Sequence, residues 1–348
     1  MPYDELDDEQ ARQLINSEQA YEAYRSAKSE LKRRFSGSMG WKSVDGHTYL
    51  YRGRNGIWKS LGRRDPETET ALIGFRAGRL RARARVVSLT KRVDRMAAVN
   101  RAFKLGHVPA IAARVLRALS DAHLSETAII TVGTNALFAY ERLAGIRIAD
   151  AVLETNDIDL LYGARASLKL LAPEIAAAGI AGLLRKVDRS FEILGRGGFR
   201  ASNREGYIVD LITPATRDPI RSVGRKQIGH SDDLTAVEID GLAWLVNSPK
   251  VTATVMDLRG YPAEMVAPDP RAFALHKAWL AKRDDRDPLK RRRDRAQAEL
   301  VASLVTRRLP HLRFDDPALG ALPLALRAQA ADLLGSTAVT PSSLNPDW

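Results

Sequence analysis

The chain of 348 residues contains no cysteine. That excludes a disulfide framework, a thiol nucleophile and any cysteine-ligated zinc site. Its six histidines (His47, His107, His123, His230, His276 and His311) are scattered, with no pair at metal-binding spacing. Aromatic residues are sparse at 6%. No apolar run approaches the roughly 18 residues that a membrane-spanning helix needs. The first ten residues, MPYDELDDEQ, carry five acids and no base, the opposite of a secretory or mitochondrial leader. These absences predict a cytoplasmic location and no membrane partner.

What is plentiful is positive charge. The formal net charge is +12 and the sequence pI is near 10.0, which favours polyanionic partners over cationic small molecules. A generally arginine-rich composition would give the same totals without a specific polyanion. Apolar residues at 45% and charged residues at 28% are ordinary for a globular chain of two or three domains.

Residues 8–35 read as helix. The stretch 41–62, WKSVDGHTYLYRGRNGIWKSLG, changes to a strand period. Asp45-Gly46 and Asn55-Gly56 supply hairpin turns and Thr48, Tyr49, Leu50 and Tyr51 strand formers, so a small β-meander is expected. Asp65-Pro66 followed by Glu67 and Glu69 marks a helix start. The helix runs to about Phe103 with Leu89, Val93, Met96 and Phe103 on one stripe. It is densely basic, with Arg76, Arg79, Arg81, Arg83, Arg85, Lys91, Arg92, Arg95, Arg101 and Lys104. Two readings stand: a solvated helical face, or a track for phosphate backbone. Tyr49, Tyr51 and Trp58 would then stack on bases, or else simply pack.

From residue 106 strands and helices alternate. TAIITVG (127–133), NDIDLLY (156–162), GGFRAS (197–202) and GYIVDLIT (206–213) read as strands, and helices are expected over 108–123, 134–145 and 165–178. A loop runs to about 235; its Arg217, Arg221, Arg225 and Lys226 read as solvated, with steering of substrate phosphates as the alternative. Short strands around VTATVMDL and helices at 270–283, 288–307 and 323–334 follow. The expected class is α+β with a mixed sheet. The expected divisions are 1–105, 106–235 and a mainly helical 236–348.

Three carboxylates stand out because their neighbours are apolar. Asp157 and Asp159 are separated by Ile158 and followed by Leu160-Leu161. On a strand they project to the same side, roughly 7 Å apart along the chain. Like charges in a poorly solvated place ask for a cation between them, and hard oxygens suit magnesium. Asp210 is the only charge in the strand Ile208, Val209, Leu211 and Ile212. It would complete a three-aspartate site if the two strands were neighbours. Upstream, Gly133-Thr134 lies at a strand-to-helix junction, where glycine lets an anion approach backbone N–H groups.

In this order the motifs resemble the nucleotidyltransferase fold of the DNA polymerase β superfamily. The longer stretches YLYRGRNGIWKSLG, GTNALFAYE, TNDIDLLY and PDPRAFALHKAWLAKR…KRRRDRAQAELV resemble a family of bacterial proteins with that fold, over roughly residues 40 to 310. The resemblance implies a nucleotidyltransferase-like mixed sheet with flanking helices. A β-meander and long basic helix would precede it and a helical region follow it. It implies transfer of a nucleoside monophosphate from an NTP to an acceptor hydroxyl, on RNA (a tRNA end in particular) or on a protein. Asp157, Asp159 and Asp210 would be catalytic and would hold Mg2+ (or Mn2+). Gly133, Thr134 and Asn135 would hold phosphates, and Lys277 would reach the triphosphate. A toxin or defence role with an antitoxin or operon partner follows by the same analogy. The competing reading is a non-catalytic nucleic-acid-binding protein that keeps the fold as a scaffold.

Two departures from the family pattern are visible: Thr134 stands where glycine or serine is usual, and the interval from Thr134 to Asp157 is long. Lys290 and Asp294, one turn apart, read as an i,i+4 surface pair. His276 reads as structural. GRGGF (195–199) lacks the Lys-Ser/Thr of a P-loop and reads as a turn.

Overall fold

A computed structural model describes the chain except for residues 1, 55, 126, 154, 164–172, 196, 216–232 and 339–348. The chain divides into two compact units. One comprises residues 12–105 and 259–262; the other comprises 1–11, 106–258 and 263–348.

The smaller unit is built on two long helices. Helix α1 (Asp8–Phe35) starts with a reciprocal cap, in which Asp7 and Gln10 exchange backbone-to-side-chain hydrogen bonds of 3.1 and 2.7 Å. It carries Asp8 and Glu9 in its first turn and Lys32, Arg33 and Arg34 in its last, in accord with the helix dipole. Helix α2 (Pro66–Ala102) starts as its sequence predicts. Asp65 caps the Thr68 N–H at 2.7 Å, the Thr68 hydroxyl accepts from the Asp65 N–H at 2.9 Å, and Pro66 occupies the first turn. The buried face of α2 carries Leu72, Ala82, Val93, Ala97 and Asn100. Asn100 is fully buried, and its side chain is held by three groups. Its oxygen accepts from Gln13 and Ser17, both at 2.8 Å, and its amide donates to the Gly260 carbonyl at 2.8 Å.

Between the helices lies the expected meander, β1 (Ser38–Val44), β2 (His47–Arg54) and β3 (Ile57–Arg63), an antiparallel three-stranded sheet. Asp45 and Gly46 both have positive φ (47° and 75°), the requirement of the tight turn between the first two strands. Leu50, Arg52 and Arg54 face the helices. Arg52 donates to the Arg34 and Ser36 carbonyls at 3.1 and 2.8 Å and its guanidinium covers the Phe75 ring at 4.0 Å.

The larger unit holds a mixed sheet of β4 (Ile129–Val132), β5 (Asp157–Tyr162), β6 (Ile208–Pro214), β7 (Arg200–Ser202) and β8 (Glu192–Ile193) in that spatial order, with β9 (Val237–Ile239) also paired to β6. β5 and β6 run parallel, while β4 and β7 are antiparallel to their neighbours. Ile129, Ile158, Leu160, Val209 and Leu211 point into the core, where they meet Leu137, Phe138 and Tyr140 of helix α4 (Ala136–Ala144). Helix α3 (Ala110–Asp121) precedes β4 and helix α6 (Pro173–Val187) follows β5. On the C-terminal side, a short helix α7 (Leu242–Asn247) is followed by β10 (Lys250–Met256) and β11 (Pro262–Pro268), which form a two-stranded sheet. Helices α8 (Pro270–Ala281), α9 (Pro288–Arg308) and α10 (Leu324–Ala338) follow it. The class is the α+β arrangement with a mixed sheet and flanking helices that the sequence leads one to expect.

The long interval after α4 contains a strand of its own. Ile146–Ile148 pairs antiparallel with Tyr3–Glu5, and a short helix α5 (Asp150–Leu153) follows. The acidic opening of the chain is therefore a sheet edge in part. The GGFRAS run forms strand only over its last three residues. The basic loop with Arg217, Arg221, Arg225 and Lys226 lies outside the described residues. Among those described, no helix is long and apolar enough to cross a membrane.

Candidate active site

Strand β5 alternates where the site needs it. Asp157 and Asp159 are only partly buried, whereas Ile158 between them and Leu160 beyond are at 0% exposure. The parallel register places Asp210 of β6 directly beside Asp159. Asp210 is buried. The third carboxylate singled out in the sequence is thus a lateral neighbour of the second, because two strands with equally apolar flanks pair to share one core.

The third neighbour is the glycine turn. Val132 of β4 pairs with Asp159, and Gly133 opens a 3-10 turn (Gly133–Asn135) that leads into α4. Gly133 has φ +64°, and a β-carbon there would lie 2.1 Å from Asp159 Oδ2. Only glycine satisfies both the left-handed backbone and the carboxylate pressed against it. Asn135 donates from Nδ2 to the Asp157 backbone carbonyl at 2.6 Å, which fixes the start of β5 to the turn. Its Oδ1 is buried without a hydrogen-bond partner. Thr134 is buried, and its hydroxyl accepts from Gln297 Nε2 at 3.2 Å. Gly133 and Asn135 therefore meet the two strand aspartates directly, and Thr134 faces helix α9.

The electrostatics reflect crowding of one sign. The carboxyl of Asp159 is pushed up to about 6, first by burial and then by Asp157 and Asp210. Lys277 and Arg293 act in the opposite direction. Arg200 of β7, opposite Asp210 in the antiparallel register, grips Asp210 with two hydrogen bonds of 2.7 and 2.6 Å. That hydrogen-bonded carboxylate holds its guanidinium more firmly protonated than usual. The Thr155 hydroxyl donates to Asp157 Oδ1.

Three carboxylates on neighbouring strand positions, one of them lifted by burial and then by the other two, suit a hard divalent cation by donor type and by charge. Among the described residues no three acidic or histidine side chains converge as they stand into a closed ligand set. Both oxygens of Asp210 are given to Arg200, which acts as the internal counter-ion of the cluster.

Lys277 is buried, and its ammonium donates to Asp294 Oδ1 at 2.7 Å. Asp294 also accepts from Arg286 at 3.0 Å. Burial lowers the Lys277 ammonium despite Asp294. Asp294 thus pairs with Lys277 of α8 and with Arg286 of the connection before α9; the i,i+4 surface pair with Lys290 is not what forms, because Asp294 sits at 0% exposure on the inner face of α9. His276 is buried beside Trp244 and Trp279, and burial, then Lys277, pushes it down to about 3, so it is neutral.

Sequence reasoning did not single out Arg200, Thr155, Gln297 or the particular role of Arg293. Arg200 sits in a short strand with an unremarkable local pattern, and only the β6–β7 register reveals its partner. Arg293 is one of four arginines flanking Asp294, and nothing local distinguishes it.

Over residues 110–322 the chain matches the model of a protein family described as nucleotidyltransferase. No match was found among curated proteins or among solved structures. The family match spans more than half of the sequence, and the chain belongs to this nucleotidyltransferase family.

Proposed function

We propose that this member of the nucleotidyltransferase family moves a nucleoside monophosphate from an NTP to a hydroxyl on RNA, and that Asp157, Asp159 and Asp210 are the carboxylates that hold divalent magnesium, or manganese, for the reaction. The observation that carries this reading is the register that sets Asp210 beside Asp159, with Gly133 pressed against the same carboxylate.

In this reading the acceptor oxygen bonds to the α-phosphorus as the bond to the bridging oxygen breaks. Pyrophosphate leaves, and the hydroxyl proton passes to Asp210. When bound, magnesium supplies positive charge to the phosphates and makes the acceptor hydroxyl easier to deprotonate. The remaining work is positioning by this chain's own groups. The backbone of Gly133–Asn135 lies against the phosphates, closest at Gly133, where no side chain intervenes. Arg293, exposed on α9, and Lys277 offset the carboxylates' charge; Arg293 is the more accessible for a triphosphate because Lys277 is bonded to Asp294. Arg200 must yield or share Asp210 when a cation enters.

RNA is favoured as acceptor by the distribution of charge. Residues 12–105 hold 22 Lys and Arg against 8 Asp and Glu, a net of +14, while the whole chain totals +12. The test is incubation of purified protein with each α-labelled NTP, magnesium, total RNA and lysate protein, beside the Asp157→Asn variant. Label entering an RNA band and lost in the variant supports the reading; label only in protein bands moves the acceptor to protein, and no label with any NTP overturns transfer. A toxin role, with its antitoxin or operon partner, predicts growth arrest on induction of the wild type and none with Asp157→Asn.

A further inference from the structure

The sheet β1–β2–β3 has two unlike faces. One is closed by Leu50, Arg52 and Arg54 against the helices. The other carries His47, Tyr49 and Tyr51 of β2, Lys42 of β1, and Trp58, Ser60 and Arg63 of β3, as the register and strand alternation require. Lys42, Trp58, Ser60 and Arg63 are exposed, Trp58 at 47%. The open face is therefore aromatic and cationic at once.

Its detail is that of a platform. The Trp58 ring lies flat on Gly53: a β-carbon there would come within 3.0 Å of three of its ring atoms. Gly40, opposite Tyr51 on β1, also presents no side chain. One face of the indole is thus seated on backbone, and the other is turned outward beneath the Lys42 ammonium. Lys42 Nζ sits 4.2 Å from the Trp58 ring centroid and 5.3 Å from that of Tyr51. The Arg63 guanidinium is held 2.8 Å from His47 Nδ1 at the same face. Such rings are unusual to leave open in a chain with 6% aromatic residues, and their neighbours are cations rather than the acids that would cancel them.

The basic helix α2 is less uniform than its sequence. Arg79 is half-buried and occupied, donating to the Gly37 carbonyl at 3.0 Å, and Arg85 lies 3.6 Å from Glu30. Arg76, Arg81, Arg83, Lys91, Arg92 and Arg95 remain exposed.

From these features we propose that the open face of the β1–β2–β3 sheet binds single-stranded RNA, with a base stacked on Trp58, a second on Tyr51, and the intervening phosphate on Lys42. This rests on the reading of RNA as the acceptor and names the surface that holds it. Single strands are implied because a flat sheet face cannot enter a duplex groove, while unstacked bases have π-faces to offer. Lys42 leaves the indole face to meet the phosphate, exchanging an exposed cation–π contact for a charge pair. The exposed arginines of α2 add non-specific attraction along the strand.

The test is fluorescence anisotropy of the full chain with a labelled single-stranded RNA of about 12 nucleotides, titrated at several salt concentrations. Trp58→Ala should weaken binding about tenfold and Trp58→Phe should restore most of it. Lys42→Gln should flatten the log–log salt dependence by about 0.7. A duplex of the same length should bind at least about tenfold more weakly. Circular dichroism checks that each variant remains folded, which the exposure of both side chains leads one to expect. Wild-type affinity in Trp58→Ala and Tyr51→Ala, equal binding of duplex, or displacement of RNA by polyglutamate as readily as by unlabelled RNA overturns the proposal; the last outcome would make the face a surface for acidic protein. Binding through this face with no label passed to RNA sinks the acceptor reading alone. Label on RNA with binding indifferent to Trp58 sinks this inference alone.

Discussion

The two units handle charge in opposite ways. Around the carboxylates of the larger unit the buried charges are paired: Arg200 with Asp210, Lys277 and Arg286 with Asp294, Arg271 with Asp269 at 2.7 Å. Outside residues 12–105 the chain has 32 Lys and Arg against 34 Asp and Glu, almost balanced. Inside them the cations are in large surplus and mostly face water. Paired charge in a poorly solvated place fixes geometry, because each partner is held by the penalty for leaving it alone. Surplus charge in water fixes no geometry, but it raises the local concentration of a polyanion. One unit is organised to position, the other to attract.

That contrast can be broken experimentally, starting with the largest effect. Asp157→Asn combined with Asp159→Asn should lower label transfer by at least about 10³-fold while RNA binding stays at wild-type affinity; a parallel loss of binding would mean that the two units do not divide the work. Removing Asp294 by Asp294→Asn leaves Lys277 buried without its counter-ion, and urea denaturation should register a loss of about 3–5 kcal/mol. If the loss is under about 1 kcal/mol, the pair is not structural. Gly133→Ala forces a β-carbon into Asp159 at a left-handed backbone position, with an expected loss of about 1–3 kcal/mol and a drop in transfer. Arg200→Gln removes the cation from Asp210 and should tighten Mn2+ binding about tenfold by calorimetry; weaker binding would show that Arg200 positions the carboxylate rather than competes for it.

The smallest effect concerns His107, buried between Glu141 and Asp150 with both ring nitrogens 2.7 Å from a carboxylate oxygen. Burial alone would lower its pKa, but the two carboxylates outweigh it and the net shift is upward. A histidine raised in the folded state contributes stability that is fully present below its ordinary value near 6.5 and is lost as pH rises through the folded value. The stability difference between wild type and His107→Gln should therefore be largest near pH 6, about 1 kcal/mol, and shrink towards pH 9. A difference that grows with pH would reverse the assignment.

Much of this was legible in the sequence because the signals are local. The Asp45-Gly46 turn, the Asp65-Pro66 cap and the isolated aspartates in apolar strands each follow from a few neighbouring residues. What sequence does not carry is register. Asp210 lies beside Asp159 and Arg200 opposite Asp210 only because of pairings made across dozens of residues. Helix α2 shows the same limit, since its arginines look alike in the sequence and Arg79 proves to be occupied by the Gly37 carbonyl. The strand Ile146–Ile148 was hidden because its partner, Tyr3–Glu5, sits in a polar opening with no strand period. Asp294 misled for a simpler reason: an i,i+4 partner was present in Lys290, but burial gave it to Lys277.

The order in which these parts leave the ribosome follows from their order in the chain. Residues 12–105, net +14, are synthesised before Asp157, Asp159 and Asp210. At ordinary elongation rates about ten seconds separate the end of that segment from Asp210. During the first half of that interval the nascent chain is a polycation emerging beside ribosomal RNA, with none of the three site carboxylates yet made.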